Sequence, residues 1–271
     1  MLKNVILAAS KSGQLHNGVK IFPSIIKNYI KKDFIVSYVE DNHNNLFQFS
    51  QDLYEANRKV YNTINIGGDH SISIATGASS LNKYEDVKFI WIDAHADIHT
   101  KESSPSKNYH GMPLSFLTGL DYDARFSFIK NRLPFQNLLY VGLRDIEPFE
   151  FNTLRYNQIP SFLSEQVNKD CINVYENISK FIGNSPVHIS FDVDSIDPQY
   201  ISSTGTSVSN GIELQQAIYL LTKLLDNKKV INLDIVEMNL DIDTPNISTS
   251  LSSFSDLFPF LIDKPINKIY G

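Results

Sequence analysis

Short apolar runs alternate with segments of helical periodicity along the whole chain, and this alternation constrains the fold more than any other feature. Val5–Ala8, Phe34–Val39, Thr63–Ile66, Lys88–Ile92, Leu138–Val141, Val187–Phe191 and Val230–Ile235 read as strands. Helices are predicted over Phe22–Lys31, Leu46–Val60, Ser71–Leu81, His110–Leu120, Glu150–Tyr156, Ile172–Ile182 and Glu213–Leu225, with a last one over Ser252–Ile262. Lys88–Ile92 is apolar nearly throughout, as expected of a strand covered on both faces. The pattern predicts an α/β fold with a mostly parallel sheet flanked by helices. No repeat, low-complexity linker or compositional break divides the 271 residues, so a single domain over 1–271 is expected.

Bulk properties narrow the partners. The net charge is −6 and no basic block occurs, which argues against nucleic acid as the main partner. No apolar stretch reaches membrane-spanning length. The apolar run after Lys3 is short for a signal peptide and reads better as a first core strand. Cys171 is the only cysteine and cannot form an internal disulfide, which favours a reducing, cytoplasmic setting.

The residues at the strand ends carry the chemistry. Asp93-Ala94-His95-Ala96-Asp97 and Asp192-Val193-Asp194 each follow a strand and place ionisable side chains at alternate positions. Alternate side chains of an extended chain share one face. Gly67-Gly68-Asp69-His70-Ser71 adds a histidine after a third strand. Singly, His70 reads as a buried histidine, Asp93 as a cap, Asp192 and Asp194 as a solvated loop, and the glycines as a turn. Jointly, they argue for a carboxylate-rich site holding two divalent metals, because clustered buried carboxylates need cations to neutralise them. Such a donor set suits Mn(II). A nucleotide role is rejected, because the glycine-rich segment has neither a P-loop lysine nor Rossmann spacing. In open α/β sheets ligands bind beyond the carboxyl ends of the strands, where all three clusters lie. The polar stretch Thr100–Asn108 is expected to be a loop bordering that site.

The set Gly67–Ser71, Asp93–Asp97 and Ser190-Phe191-Asp192-Val193-Asp194-Ser195-Ile196-Asp197-Pro198 resembles the ureohydrolase family, which includes arginases and agmatinases. The likeness runs from Asn17-Gly18-Val19 to Glu237 and is greatest to the arginase branch, through His110-Gly111-Met112-Pro113 and Gly142-Leu143-Arg144-Asp145-Ile146-Glu147-Pro148. The resemblance implies a three-layer α/β sandwich and two Mn2+ ions per subunit. One ion would take His70, Asp93, Asp97 and Asp192, the other Asp93, His95, Asp192 and Asp194. The implied reaction is attack of a metal-bridging hydroxide on the guanidinium carbon of L-arginine, giving L-ornithine and urea. Asp97 would pass a proton to the leaving amine, His110 would shuttle protons, and Glu237 would pair with the guanidinium. Thr206 would lie beside the site. Family members are commonly trimers or hexamers, so a homo-oligomer is expected, without the long C-terminal tail of animal enzymes.

The chain departs from the arginase pattern at the amino-acid end of the substrate. His99 stands where an asparagine is usual, Ser104 where a threonine is common, and Glu147 where an aspartate faces the α-amino group. Ser106 and Glu150 match the pattern. The resemblance therefore leaves three alternatives to arginine hydrolysis. Another ureohydrolase, acting on agmatine, guanidinobutyrate or formiminoglutamate, shares the same metal site. A non-catalytic metal-binding regulator would be marked by a lost ligand, shuttle or guanidinium partner, and none is lost. A deacylase on a similar sheet would not need Glu237.

Overall fold

The computed structural model describes residues 2–266. The elements run β1 (Asn4–Ala9), α1 (Phe22–Ile26), β2 (Ile35–Glu40), α2 (Leu46–Arg58), β3 (Thr63–Gly67), α3 (Ile72–Lys83), β4 (Lys88–Ile92), α4 (Pro113–Thr118) and β5 (Leu138–Leu143). They continue as α5 (Pro148–Tyr156), β6 (Ser161–Leu163), α6 (Ser164–Lys169), α7 (Cys171–Ile182), β7 (Val187–Asp192), α8 (Leu214–Leu225), β8 (Val230–Val236) and α9 (Ile247–Leu257). The strands form one eight-stranded sheet in the order β2-β1-β3-β8-β7-β4-β5-β6. Every pairing between these strands is parallel, so the sheet is wholly rather than mostly parallel.

The strands bury both faces, and alternate residues enter different cores. Val5, Leu7, Ile90, Ile92, Leu139 and Val141 pack with α1, α7, α8 and α9. Ile6, Ala8, Phe89, Trp91, Leu138 and Tyr140 pack with α2, α3, α4 and α5. Period-two alternation places successive side chains on opposite faces, so apolar runs such as Lys88–Ile92 feed both cores. Among the described residues, no helix is long and apolar enough to cross a membrane.

Helix ends differ from the periodicity for local reasons. The segment predicted over Phe22–Lys31 tightens into a 3-10 turn at Lys27–Tyr29 and ends where Ile30 becomes extended and bridges Ile262. The one predicted from His110 starts at Pro113 and stops at Gly119, whose φ of +85° caps it in the left-handed region. The final helix lies over Ile247–Leu257, not Ser252–Ile262. Pro259 disfavours helix at the residue before it, so the helix cannot extend as far as predicted. β6 and α6 are too short to show a period.

Beneath the carboxyl ends of the strands lies a second, wholly buried polar layer. Asp234 on β8 accepts from Asn65 (2.8 Å) and Asn232 (2.6 Å) at Oδ1, and from Ser73 (2.8 Å) and Thr76 at Oδ2. His188 Nε2 lies 3.2 Å from the same oxygen, and Ser80 holds the other ring nitrogen. Burial opposes a charge on Asp234, but His188 and these donors outweigh it and hold the carboxyl below its ordinary range. Removing a buried acceptor strands each of its donors. Asp234→Ala is therefore expected to destabilise the protein by about 3–5 kcal/mol, or to prevent folding. The shift in urea midpoint measures this, and a change under about 1 kcal/mol would contradict it.

Candidate metal centre and substrate cavity

Parallel register brings the clusters together. β4 and β7 are neighbours, with Ile92 paired to Phe191, so Asp93 and Asp192 emerge level at adjacent strand ends. β3 and β8 end beside them, delivering His70 and Glu237. Gly68 permits the close approach. A Cβ there would lie 1.6 Å from the carbonyl oxygen of Ser10, and the Gly68 carbonyl accepts the Glu237 N–H at 2.9 Å.

His70 Nδ1 faces Asp97 Oδ2 at 2.9 Å, Asp192 Oδ2 at 3.1 Å and Asp93 Oδ2 at 3.2 Å. His95 Nδ1 lies 3.1 Å from Asp194 and 3.5 Å from Asp93. Two groups could each hold a metal ion: His70, Asp93 and Asp97, and Asp93, His95 and Asp194. Asp93 belongs to both. A fit for cations is visible at His70 Nδ1, a buried nitrogen that none of its three carboxylate neighbours meets in hydrogen-bond geometry. Imidazole nitrogens and carboxylate oxygens are donors that divalent first-row metals accept. Neighbouring groups orient the set. Trp91 stacks on the His70 ring at 4.3 Å and donates to Asp93 at 3.0 Å. Ser190 Oγ lies 2.7 Å from His70 Nε2, and Thr206 donates to Asp194 at 2.9 Å.

The electrostatics show how crowded the carboxylates are. Burial and the neighbouring Asp194 and Asp93 push Asp192 well above its ordinary value. Burial and Asp93 raise Asp97 to about 6. Burial opposes charge on both histidines, yet the surrounding aspartates raise His70 and His95 far above a free imidazole. Protons accumulate where negative charge is in excess, and divalent cations would relieve the same excess.

The cluster opens into a cavity of about 360 Å³ lined by every nominated residue except Asp93, which lies buried beneath it. At one side Glu237 receives the His70 N–H at 2.8 Å, and His110 Nδ1 lies 3.3 Å away. Burial works against a charge on Glu237, but His110 and the backbone donor hold it ionised below its usual range. Burial likewise opposes charge on His110, and Glu237, Asp97 and Asp69 override it, raising it to about 9. Asp97 and Glu237 both adopt positive φ, +49° and +68°, a region that non-glycine residues seldom occupy outside constrained sites.

At the other side His99 Nε2 lies 3.3 Å from Glu147 and 3.9 Å from Glu150. Glu147 and Glu150 form the capping box of α5, so the helix N-terminus offsets their charge. Ser104 and Ser106 line the same end, with their hydroxyls 3.5 Å apart. Arg144 points away from the cavity and ties the Asp194 and Val208 carbonyls together at 2.6 and 2.8 Å.

A family model described as "Arginase family" matches residues 6–255. The chain belongs to the arginase family. It is similar to the arginase of Saccharomyces cerevisiae, at 38% identity over 72% of this chain and 66% of the yeast protein. It is similar also to the arginase of Coccidioides posadasii, at 34% over 88% of this chain and 77% of that one. The matched stretch thus spans just under two thirds of the yeast protein's length. The solved arginase of Entamoeba histolytica, in complex with L-ornithine, superposes with a TM-score of 0.87 at 30% identity, covering 95% of this chain and 99% of that one.

Trp91 and Gln14 lie outside the sequence motifs, and Ser190 lies within one but carries no role there, although the sequence holds a signal for two of the three. Trp91 lies two residues before Asp93, and Ser190 two before Asp192, so the alternation that links the ligands reaches back to both. Gln14, on the loop after β1, has no such signal.

Glu150 provides a pH test. Burial, reinforced by Asp97, raises its carboxyl from 4.5 to about 7. Between those values the folded protein holds a proton that the unfolded chain releases, so stability falls as pH rises through the window. In the metal-free protein, the stability of wild type relative to Glu150→Gln should decline from pH 4.5 to 7, by on the order of 3 kcal/mol. Parallel stability curves for the two proteins across that range would contradict it.

Proposed function

We propose that this chain hydrolyses the guanidinium group of L-arginine to L-ornithine and urea at a site holding two Mn2+ ions. What carries the reading is a six-residue His/Asp cluster, five of whose members line one cavity with Glu237, an ionised carboxylate fixed by its own donors. His70, Asp93, Asp97 and Asp192 would hold one ion. Asp93, His95, Asp192 and Asp194 would hold the other. Bound there, the ions supply a water activated for attack at neutral pH.

The remaining work falls to side chains. Glu237 accepts from the guanidinium and orients its planar carbon towards the cluster. Asp97 delivers a proton to the departing amine, and His110 relays protons between the cavity and solvent. Glu147 and Glu150 face the α-ammonium group. His99, Ser104 and Ser106 offer donors to the α-carboxylate, and His99 Nε2 is buried 3.3 Å from Glu147 without meeting it in hydrogen-bond geometry. Thr206 steadies Asp194. The same reading carries a homo-oligomer, trimeric or hexameric, in the cytoplasm. The single cysteine supports the reducing setting.

The test is urea release by the Mn2+-loaded protein from L-arginine, agmatine and 4-guanidinobutyrate, with bound metal counted in parallel. L-Arginine is expected to be preferred, with on the order of two ions per chain. Preference for agmatine or 4-guanidinobutyrate would move the substrate and keep the metal chemistry. No urea from any of the three would sink the proposal. Glu237→Gln should lower kcat/KM for L-arginine by roughly 100-fold or more, because a buried charged partner is lost. A loss under about threefold would remove Glu237 from its assigned role.

A further inference from the structure

Gln14 lies on the loop that joins β1 to the first helical turn, and its side chain reaches across the chain to Glu237. Its Nε2 donates to Glu237 Oε2 at 2.6 Å. The residue is buried and lines the cavity beside His110 and Thr206. The amide orientation is dictated by chemistry, because the reverse would set two acceptors face to face. Its Oε1 is buried and has no hydrogen-bond partner, so among the described residues Glu237 alone selects this orientation.

Glu237 needs such a donor. Its Oε1 already takes the His70 N–H, and His110 Nδ1 approaches it. Oε2 would otherwise be free to rotate towards any available donor. An amide fixes that oxygen without bringing a positive charge. A lysine or arginine in its place would neutralise the carboxylate that a cationic ligand must find charged. The surrounding loop is held by the same region. Gly13 N–H donates to Asp69 Oδ2 at 3.0 Å, and the Gly13 carbonyl accepts the His110 N–H at 3.2 Å. The loop that carries Gln14 is therefore tied to the groups around Glu237.

We propose that Gln14 is a positioning residue for guanidinium recognition, aiming Glu237 Oε2 into the cavity and leaving its charge intact. The assignment rests on the guanidinium reading above. Gln14 acts through Glu237, so its removal weakens ligands that carry a guanidinium and spares those that do not.

The experiment measures urea release from L-arginine, and inhibition by L-ornithine, for Mn2+-loaded wild type, Gln14→Leu and Gln14→Met. Gln14→Leu removes the donor. Gln14→Met keeps the unbranched shape and offers no donor, so it serves if the leucine variant does not fold. Each variant is expected to lose 10- to 100-fold in kcat/KM for L-arginine, mainly through KM, while the L-ornithine inhibition constant stays within twofold of wild type. A merely structural role would raise both constants together, and that result overturns the proposal. So does a kcat/KM within threefold of wild type. Wild type that releases no urea from any guanidino compound is a separate outcome: it removes the parent reading, and this assignment falls with it.

Discussion

Crowding of carboxylates at adjacent strand ends is the constraint on which the rest of the structure depends. Asp93, Asp97, Asp192 and Asp194 are all at least nine-tenths buried within one small region. Isolated, each would be driven to its neutral form. Keeping the group together requires a frame that does not yield, and a wholly parallel sheet provides one. Its strands point the same way, so the ends of β3, β4, β7 and β8 form one continuous edge. Ladder hydrogen bonds fix their register. A slip of one residue would turn these side chains away from one another.

The buried layer around Asp234 extends that frame inwards. It joins β3, β7, β8 and α3 through side-chain hydrogen bonds, directly below the His70–Ser190 contact. Ser73 bridges the two levels, with its hydroxyl 3.2 Å from Ser190 and 2.8 Å from Asp234. Polar groups so deep are costly unless every one is satisfied. Here satisfaction is nearly complete, with Asn65 Oδ1 the unpartnered atom of the layer. The packing of α3 supplies the reason that Ser73, Thr76 and Ser80 are not apolar. They form the polar stripe of a helix that is otherwise buried in the core.

Much of this is legible in the sequence because parallel strands buried on both faces are written as apolar runs, and alternation marks their ends. The positions of the candidate ligands follow from the same period of two, and the family motifs carry the rest. What is not legible is settled by contacts rather than by period. β6 has only Ser161–Leu163 to declare itself, at the edge of the sheet. The offset of the last helix depends on Pro259, a local signal that outranks the apolar spacing around it. Gln14 is invisible for a different reason. It precedes Glu237 by 223 residues, and only the folded loop after β1 makes them neighbours.

The two ends of the cavity are built from different parts of the chain, and this separates the residues proposed for the chemistry from those proposed for substrate choice. The cluster and Glu237 sit at the ends of central strands, where register and the buried layer resist change. His99, Ser104 and Ser106 belong to the segment between β4 and α4, and Glu147 and Glu150 to the first turn of α5. Loops and helix starts tolerate substitution better than strand ends buried on both faces. The departures from the arginase pattern at His99, Ser104 and Glu147 all fall on the tolerant side. His99 lies 3.3 Å from Glu147, stacks on Phe149 at 5.6 Å and meets Ser103 at 3.0 Å, so its position is set by α5 and its own loop rather than by the candidate metal ligands. On the proposed function, a change of tail preference can therefore arise there by altering how α5 meets the 99–106 segment, with the groups proposed for hydrolysis left in place.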